Sequence, residues 1–143
     1  MKNILIIGCG LLGSSLVRKI SKKKISKKIF IYEKSKKNIE KIKKLKLKGI
    51  IVKKFKDVVP HTGFIIFCTP MSEYKKIILK INDYLSSDHI ITDIGSAKLK
   101  SNKIIRKNLK KKYSGLQVTL LPGLRLVGLK MGKKIYSKIN GVF

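Results

Sequence analysis

Short runs of apolar residues recur along the chain and alternate with lysine-rich stretches. Six of these runs are β-branched or aromatic and nearly continuous, and they cover residues 4–7, 29–32, 50–52, 64–67, 90–92 and 116–121. Continuous apolar runs are typical of strands buried on both faces of a parallel sheet, whereas strands with one wet face alternate apolar and polar residues. The pattern therefore predicts the strands of a largely parallel sheet.

The lysine-rich stretches between these runs carry apolar residues at helical spacing. The predicted buried faces are Leu11, Leu12, Ser15, Leu16 and Ile20; Ile39, Ile42, Leu45 and Leu47; Tyr74, Ile77, Ile78 and Ile81; and Leu99, Ile104, Ile105 and Leu109. Alternating strands and helices imply right-handed crossovers, which place helices on both faces of the sheet. The sequence thus predicts an α/β fold, a doubly wound and mostly parallel Rossmann sheet over residues 1–121, followed by an irregular tail over residues 122–143.

Three glycines with the spacing GxGxxG follow the first predicted strand and open the first predicted helix, which is the context of a dinucleotide site. In "ILIIGCGLLGSSL", Gly8 makes the turn, Gly10 lets the backbone approach a pyrophosphate, and Gly13 lets the helix pack closely on the strand. The helix N-terminus offers N–H groups and the positive end of its dipole to phosphate. The alternative is a glycine-rich turn without a ligand. The predicted cofactor contacts in this loop are Gly8, Cys9, Gly10, Leu11, Leu12 and Gly13.

An acidic residue at the end of the second predicted strand supports the cofactor interpretation. Glu33 occupies the place of the acid that hydrogen-bonds the adenosine ribose in such folds, and the chain has only 7 acidic residues. Its carboxylate favours NAD because it repels a 2′-phosphate, whereas Lys34, Ser35 and Lys37 favour NADP because they can neutralise one. The alternative is that Glu33 is an ordinary residue at a strand end. We expect Glu33, Lys34 and Ser35 to contact the cofactor, with NAD preferred and NADP left open.

Polar residues also follow the fourth and fifth predicted strands, at the edge where open α/β sheets bind ligands. The segment "FCTP" brings Thr69 and Pro70 to this edge, and "TDIGSAK" brings Asp93, which we expect to contact the cofactor, and Ser96. A structural role competes with a functional one for the last two, because Ser96 can cap the following helix while Asp93 accepts hydrogen bonds from loop amides.

The charge balance is strongly basic, with 35 Lys and Arg residues against 7 Asp and Glu and a net charge of +28. Such a balance favours polyanion binding, yet only Arg18, Arg106 and Arg125 are arginines and no aromatic interleaving suggests base stacking. We expect weak nonspecific nucleic-acid binding at low salt and no specific nucleic-acid site; a lysine-rich binding module without catalysis remains an alternative.

Targeting and cysteine patterns favour the cytoplasm. No apolar run approaches the length of about 18 residues that a membrane span needs, and the first residues do not resemble a signal peptide. The two cysteines, Cys9 and Cys68, lie in apolar runs without metal-ligand or disulfide spacing. We expect both thiols to be reduced, no metal site and no membrane contact.

The segments "IIGCGLLGSSL", "IYEKS", "FCTP" and "TDIGSAK" together resemble the prephenate/arogenate dehydrogenase family of tyrosine biosynthesis, in an order that fits residues 2–123. The resemblance implies an enzyme that oxidatively decarboxylates a cyclohexadienyl substrate, prephenate or arogenate, and passes hydride to NAD or NADP. It further implies that Thr69 and Pro70 lie against the cofactor, and that Ser96 supports a catalytic histidine and approaches the ring hydroxyl of the substrate. Another Rossmann reductase of a small acid is the alternative, but such enzymes rarely carry "TDIGSAK".

The chain departs from the family pattern at the catalytic base. The family carries a Gly-His-Pro motif after its sixth strand, and histidine suits a base that works near neutral pH. Here Gly123 is followed by Leu124, which cannot accept a proton. The only histidines, His61 and His89, precede or begin predicted strands, so we expect each to be either a surface residue or a structural residue with its hydrogen bonds satisfied.

A second departure is length. The family has a mostly helical second domain that supplies the dimer interface and part of the substrate pocket, and this sequence ends at residue 143. We expect either an N-terminal fragment or a gene with a frameshift near residue 122, without the family dimer interface and with little or no activity of its own.

Overall fold

A six-stranded parallel sheet forms the centre of the computed structural model, which describes residues 2–94, 98–113 and 117–120. The strands are β1 Ile4–Ile7, β2 Ile29–Tyr32, β3 Ile50–Val52, β4 Phe64–Phe67, β5 Ile90–Asp93 and β6 Gln117–Leu120. Their spatial order is β3-β2-β1-β4-β5-β6, and every neighbouring pair is parallel. The predicted doubly wound α/β fold is confirmed. Because the order reverses between β1 and β4, the crevice for a ligand opens at the carboxyl ends of these two strands.

Helices cover both faces of the sheet. They are α1 Leu11–Lys22, α2 Lys36–Lys44, α3 Tyr74–Ile81 and α4 Lys98–Asn108. Alternate residues of β1 enter two separate cores: Ile4 and Ile6 pack with α1 and α2, while Leu5 and Ile7 pack with α3 and α4. All four residues of β1 are buried, as the continuous apolar run predicts for an interior parallel strand.

The predicted face of α3 is confirmed, because Tyr74, Ile77, Ile78 and Ile81 are all buried. In α2 the prediction holds in part: Ile42 is buried and Ile39 is half-buried, whereas Leu45 follows the helix and is 51% exposed. The nine-residue, lysine-rich helix α2 therefore packs on the sheet mainly through Ile42.

The predicted face of α1 is wrong in its first turn. Leu11 and Leu12 are 85% and 60% exposed, and Ser15 is exposed as well. The buried residues are instead Gly13, Ser14, Leu16, Val17 and Ile20. At Gly13 a side chain would have no room beside the Gly8 carbonyl oxygen, so α1 packs against the turn at this glycine and its first buried residues are Gly13 and Ser14 rather than the leucines.

The predicted face of α4 is wrong at Leu99, which is 85% exposed. Ser101 and Ile105 are buried, and they lie one turn apart on the same face. Leu99 precedes Ser101 by two positions, which rotates it about 200° away from that face.

The two histidines lie on the amino side of the strands that follow them, as predicted. His61 is exposed. His89 is buried, and its Nδ1 accepts a hydrogen bond from the Ser86 N–H (2.8 Å) while its Nε2 donates to the Val59 carbonyl (2.8 Å). Both histidines lie at the amino ends of the strands, whereas the crevice lies at the carboxyl ends. Because both ring nitrogens of His89 are hydrogen-bonded there, His89 is a structural residue.

No helix within the described ranges is long and apolar enough to cross a membrane.

Candidate functional site

The turn from β1 into α1 depends on glycine at its first position. Gly8 has φ of +90°, a conformation that side chains strongly disfavour. A Cβ there would lie 2.6 Å from Thr69 Cγ2 and 2.9 Å from the Cys68 carbonyl oxygen. The Gly8 N–H donates to the Tyr32 carbonyl (2.8 Å), which ties the turn to the end of β2. The loop is therefore wedged between β2 and β4 at the crevice.

The other two glycines of the motif have opposite surroundings. A Cβ on Gly13 would lie 2.3 Å from the carbonyl oxygen of Gly8, so this glycine lets α1 pack against the turn. A Cβ on Gly10 would meet no described atom within 4 Å. Close packing therefore explains Gly13 but not Gly10. The space beside Gly10 is where the backbone can approach a pyrophosphate.

The N-terminus of α1 is open to an anion. Gly10 is its N-cap, and among the described residues no side chain caps the helix. The first N–H groups of a helix have no partner within the helix, and they form the positive end of its dipole. Leu11 and Leu12 are exposed in this turn, and no acidic residue occupies it. This end of α1 is suited to bind phosphate.

The Glu33 carboxylate joins the end of β2 to the glycine loop. Its Oε2 accepts from the Cys9 N–H (2.7 Å), and its Oε1 accepts from the backbone N–H groups of Lys34 (2.8 Å) and Ser35 (2.9 Å). The Asn38 side-chain amide makes a longer bond of 3.3 Å to Oε2. The Glu33 carboxylate therefore connects the glycine loop to the turn that precedes α2.

These four bonds use the whole acceptor capacity of the carboxylate, which has about four lone-pair sites. A ribose hydroxyl that donates to Glu33 must replace one of them, and the longest bond, from Asn38, is the easiest to replace. Asn38 follows Ser35, whose hydroxyl caps α2 by accepting from the Asn38 N–H (3.3 Å). Loss of the side-chain bond thus leaves the helix cap intact.

A cavity of about 340 Å³ opens beside Glu33. We name it the ribose cavity, and its described lining residues are Ile7, Gly8, Tyr32, Glu33, Lys34, Ser35, Thr69, Glu73 and Ile77. Two of these residues form an ion pair, in which Lys34 Nζ lies 2.8 Å from Glu73 Oε2. This hydrogen bond raises the pKa of Lys34 and lowers the pKa of Glu73, so both side chains are charged at neutral pH.

Thr69 and Pro70 follow β4 at the crevice, where the sequence places them. Thr69 lines the ribose cavity, and its buried Oγ1 has no hydrogen-bond partner among the described residues. Buried hydroxyls are nearly always paired in folded proteins, and this oxygen is an exception that it shares with Thr92 Oγ1. Pro70 is exposed and begins the turn Met71–Glu73, which places Glu73 at the cavity.

Asp93 ends β5 and is buried, with 1% exposure. Its Oδ2 accepts a hydrogen bond from the Tyr74 hydroxyl (3.0 Å). Burial, followed by the nearby Asp93 charge, raises the pKa of Tyr74, so the hydroxyl keeps its proton as a donor. Asp93 therefore binds α3 to the sheet, and it does not line the ribose cavity.

The two thiols near the glycine loop are poorly ionised. Burial, assisted by the Glu33 charge, raises the pKa of Cys9 to about 11. Burial also raises the pKa of Cys68 strongly. Both cysteines are free, and neither supplies a nucleophilic thiolate at neutral pH.

The predicted catalytic position Ser96 and the position of the missing base, Leu124, lie outside the described residues. Within the described ranges, no group of His, Cys, Asp and Glu side chains is arranged to hold a metal ion. Two residues that contribute to the site were missed from the sequence: Asn38 and Glu73. Glu73 alone carried a usable signal, because it is one of the few acids in the chain and follows a strand end.

A second cavity, of about 410 Å³, lies between the ends of α1 and α2, away from the glycine motif. We name it the basic groove, and its charged lining residues are Arg18, Lys22, Lys24, Lys46 and Lys48. Among its described lining residues there is no acid. Lysines near helix C-termini also complement the helix dipole, which accounts for part of this clustering.

The chain is similar in sequence and in fold to known oxidoreductases. The model of the family described as "NADP oxidoreductase coenzyme F420-dependent" matches residues 3–97. Cyclohexadienyl dehydrogenase of Zymomonas mobilis subsp. mobilis is 29% identical over 108 residues, which make up 76% of this chain and 37% of that protein. Prephenate dehydrogenase from Aquifex aeolicus, solved in complex with hydroxyphenyl propionate and NAD+, has a TM-score of 0.67 and 26% identity, covering 78% of this chain and 40% of that one.

More distant structures share the fold alone. Pyrroline carboxylate reductase from Plasmodium falciparum, solved with NADP bound, has a TM-score of 0.54 at 17% identity and covers 85% of this chain and 58% of that one. The chain spans about two fifths of the length of the two dehydrogenases above. The resemblance to prephenate and arogenate dehydrogenases is confirmed, and so is the predicted NAD(P)-binding character of the domain. This chain belongs to the family described as NADP oxidoreductase, coenzyme F420-dependent, and within it resembles the prephenate dehydrogenases.

Proposed function

We propose that residues 1–121 form the nucleotide-binding domain of a cytoplasmic enzyme of tyrosine biosynthesis, which oxidatively decarboxylates prephenate or arogenate with NAD as the preferred cofactor. The observation that carries the proposal is the pair of contrasting glycines, one needed for packing and one next to open space. Gly13 has no room for a side chain, whereas the space at Gly10 has no structural use within the described residues. That contrast is expected where a pyrophosphate occupies the space.

Three further features support a bound dinucleotide. The N-terminus of α1 is uncapped by any described side chain, the Glu33 carboxylate reaches the glycine loop, and the buried Thr69 hydroxyl lacks a described partner. In this proposal the first turn of α1 holds the pyrophosphate, Glu33 holds the adenosine ribose, and Thr69 and Pro70 lie along the cofactor.

The preference for NAD follows from the charges of the ribose cavity. Glu33 and Glu73 line it together with a single lysine, Lys34, which is already paired with Glu73. A 2′-phosphate placed there is repelled by the two carboxylates, whereas a 2′-hydroxyl donates to one of them. We therefore propose tighter binding of NAD than of NADP.

For the reaction, the bound nicotinamide supplies the hydride acceptor. The resemblance to the dehydrogenases assigns Ser96 a place near the ring hydroxyl of the substrate, and it assigns the base position to Leu124. Leucine takes no proton, and a missing general base typically slows such a reaction by about 10²–10⁴-fold. We therefore expect dinucleotide binding by this chain with little or no turnover.

The first experiment is a calorimetric titration of the purified chain with NAD and, separately, with NADP at moderate salt. Saturable binding with NAD tighter than NADP is the expected result. Absence of binding by either dinucleotide would refute the proposed site, and tighter binding of NADP would refute the preference. A titration of Gly10→Ala under the same conditions assigns any binding to the glycine loop.

A second candidate is an NAD(P)-dependent reductase of a different small acid. The breadth of the matching family description favours keeping it, because that description names no organic acid. The two candidates differ in the ligand that stabilises the dinucleotide complex. We expect prephenate or arogenate, and not an unrelated 2-oxo acid, to raise the melting temperature of the chain in the presence of NAD.

A further inference from the structure

The ribose cavity has a charge balance opposite to that of the chain as a whole. In the sequence 35 basic residues outnumber 7 acidic residues. Among the described residues that line the cavity, two are acidic, Glu33 and Glu73, and one is basic, Lys34. The lining therefore has a formal charge of −1 within a protein of charge +28. This local reversal makes the cavity a poor place for an added phosphate.

Lys34 is the side chain that would relieve this repulsion, since it follows Glu33 directly and lines the same cavity. Its ammonium is held by Glu73 at 2.8 Å, and Glu73 lines the same cavity. The lysine and glutamate side chains are 46% and 40% exposed, so the pair contributes little to stability. Its effect on the charge of the cavity lining is consequently more significant than its energy.

We propose that Glu73 is a specificity-determining residue, which holds Lys34 in an ion pair and so makes the ribose cavity select NAD over NADP. A phosphate monoester carries a charge of about −2 at neutral pH. With Glu73 in place, a 2′-phosphate competes with a carboxylate for Lys34 and is repelled by two carboxylates. Selectivity of this kind comes from an element that disfavours the wrong ligand. The inference rests on the proposed binding of NAD at this site.

The test is the substitution Glu73→Gln, measured by calorimetric titration of the full chain with NAD and with NADP. Glutamine keeps the size of the side chain and an oxygen that can accept from Lys34, but it removes the charge. The expected result is a rise in NADP affinity of about tenfold, because the loss of the charge both removes one source of repulsion and leaves the Lys34 ammonium free to pair with the phosphate. NAD affinity should change by less than about twofold, because its 2′-hydroxyl carries no charge.

The matched control is Glu40→Gln, which changes the net charge of the protein equally. Glu40 is exposed on α2 and does not line the ribose cavity. The NADP affinity of Glu40→Gln should remain within about twofold of the wild type, since water and salt screen an exposed charge that does not line the cavity. An equal gain in NADP affinity in Glu73→Gln and Glu40→Gln would overturn the inference, because the change in net charge would then explain the gain.

A second pair of variants tests whether Glu73 acts on NADP affinity through Lys34. In the Lys34→Gln chain, adding Glu73→Gln should give less than half of the tenfold gain, because no ammonium is released. A full gain in that background would overturn the role of the ion pair. An unchanged ratio of NADP to NAD affinity in Glu73→Gln would overturn the inference while the proposed function stands, provided that the wild type binds NAD. Failure of the wild type to bind either dinucleotide would instead refute the proposed function.

Discussion

Alanine at Gly10 and alanine at Gly13 should separate cofactor binding from folding, although the two glycines belong to one motif. At Gly10 the φ of −69° suits any L residue, and a Cβ meets no described atom within 4 Å. At Gly13 a Cβ lies 2.3 Å from the Gly8 carbonyl oxygen. We expect Gly10→Ala to fold normally and lose cofactor affinity, and Gly13→Ala to be destabilised.

The size of the folding effect follows from two opposing contributions. Overpacking a close contact costs about 1–3 kcal/mol, and more where the obstacle cannot move. Alanine recovers about 1 kcal/mol relative to glycine inside a helix. Because the obstacle at Gly13 is backbone, we expect a net loss near 2 kcal/mol and a fall in Tm of roughly 5–10 °C. Alanine at the Gly10 N-cap costs less than about 1 kcal/mol, so its Tm should stay within about 4 °C of the wild type.

The size of the binding effect follows from the space beside Gly10. A methyl group there holds the pyrophosphate away from the first turn of α1. Each lost hydrogen bond to a charged group is worth about 1.5–3 kcal/mol, which corresponds to a loss of affinity of about tenfold or more. Thermal melting and calorimetric titration with NAD measure the two effects separately. Wild-type NAD affinity in Gly10→Ala, or a lower Tm for Gly10→Ala than for Gly13→Ala, would refute the reasoning.

Three further predictions test the surroundings of the site. The pKa of the Cys9 thiol is raised from 9.0 to about 11 in the folded chain, so the thiol contributes stability that is complete below pH 9 and is lost as the pH rises to 11. In denaturant melts the free energy of unfolding should therefore decline less over this range for Cys9→Ala than for the wild type. An identical decline would contradict this prediction. His89→Ala removes both hydrogen bonds of a buried ring and should lower the Tm by several degrees while NAD affinity stays within about twofold, because the ring is at the far edge of the sheet. A fall in NAD affinity beyond that would count against a purely structural histidine. If the basic groove binds a short nucleic-acid strand, its five cations predict that the affinity for the strand falls by about 100-fold or more between 50 and 200 mM salt. The affinity for NAD should fall much less over the same range. A similar salt dependence for both ligands would contradict binding of the cofactor by backbone amides.

The strands and the glycine motif were predictable from local sequence. Interior parallel strands such as β1 and β4 are buried on both faces, so their apolar runs are unbroken and their bounds match the prediction at residues 4–7 and 64–67. The glycine motif was predictable because its backbone requirements are local: Gly8 adopts the positive φ that only glycine tolerates well. The position of Glu33 at the end of β2 follows from the same strand pattern.

The buried face of α1 was not predictable from hydrophobicity, because its closest contact is made by a residue without a side chain. The pattern favours the leucines at positions 11 and 12, whereas the packing of Gly13 against Gly8 turns those leucines outward. Periodicity counts apolar side chains, and it cannot register a contact that depends on the absence of one.

The sequence by itself determined the order of the elements, the parallel sheet and the crevice at which the glycine loop lies, since each follows from local pattern and chain handedness. Only the tertiary structure decided the partners of the charged groups there. The Cys9 N–H meets Glu33 across 24 positions of sequence, and Lys34 meets Glu73 across 39. Such pairs form because β1, β2 and β4 end at one edge of the sheet, and no local pattern specifies which side chains meet at that edge.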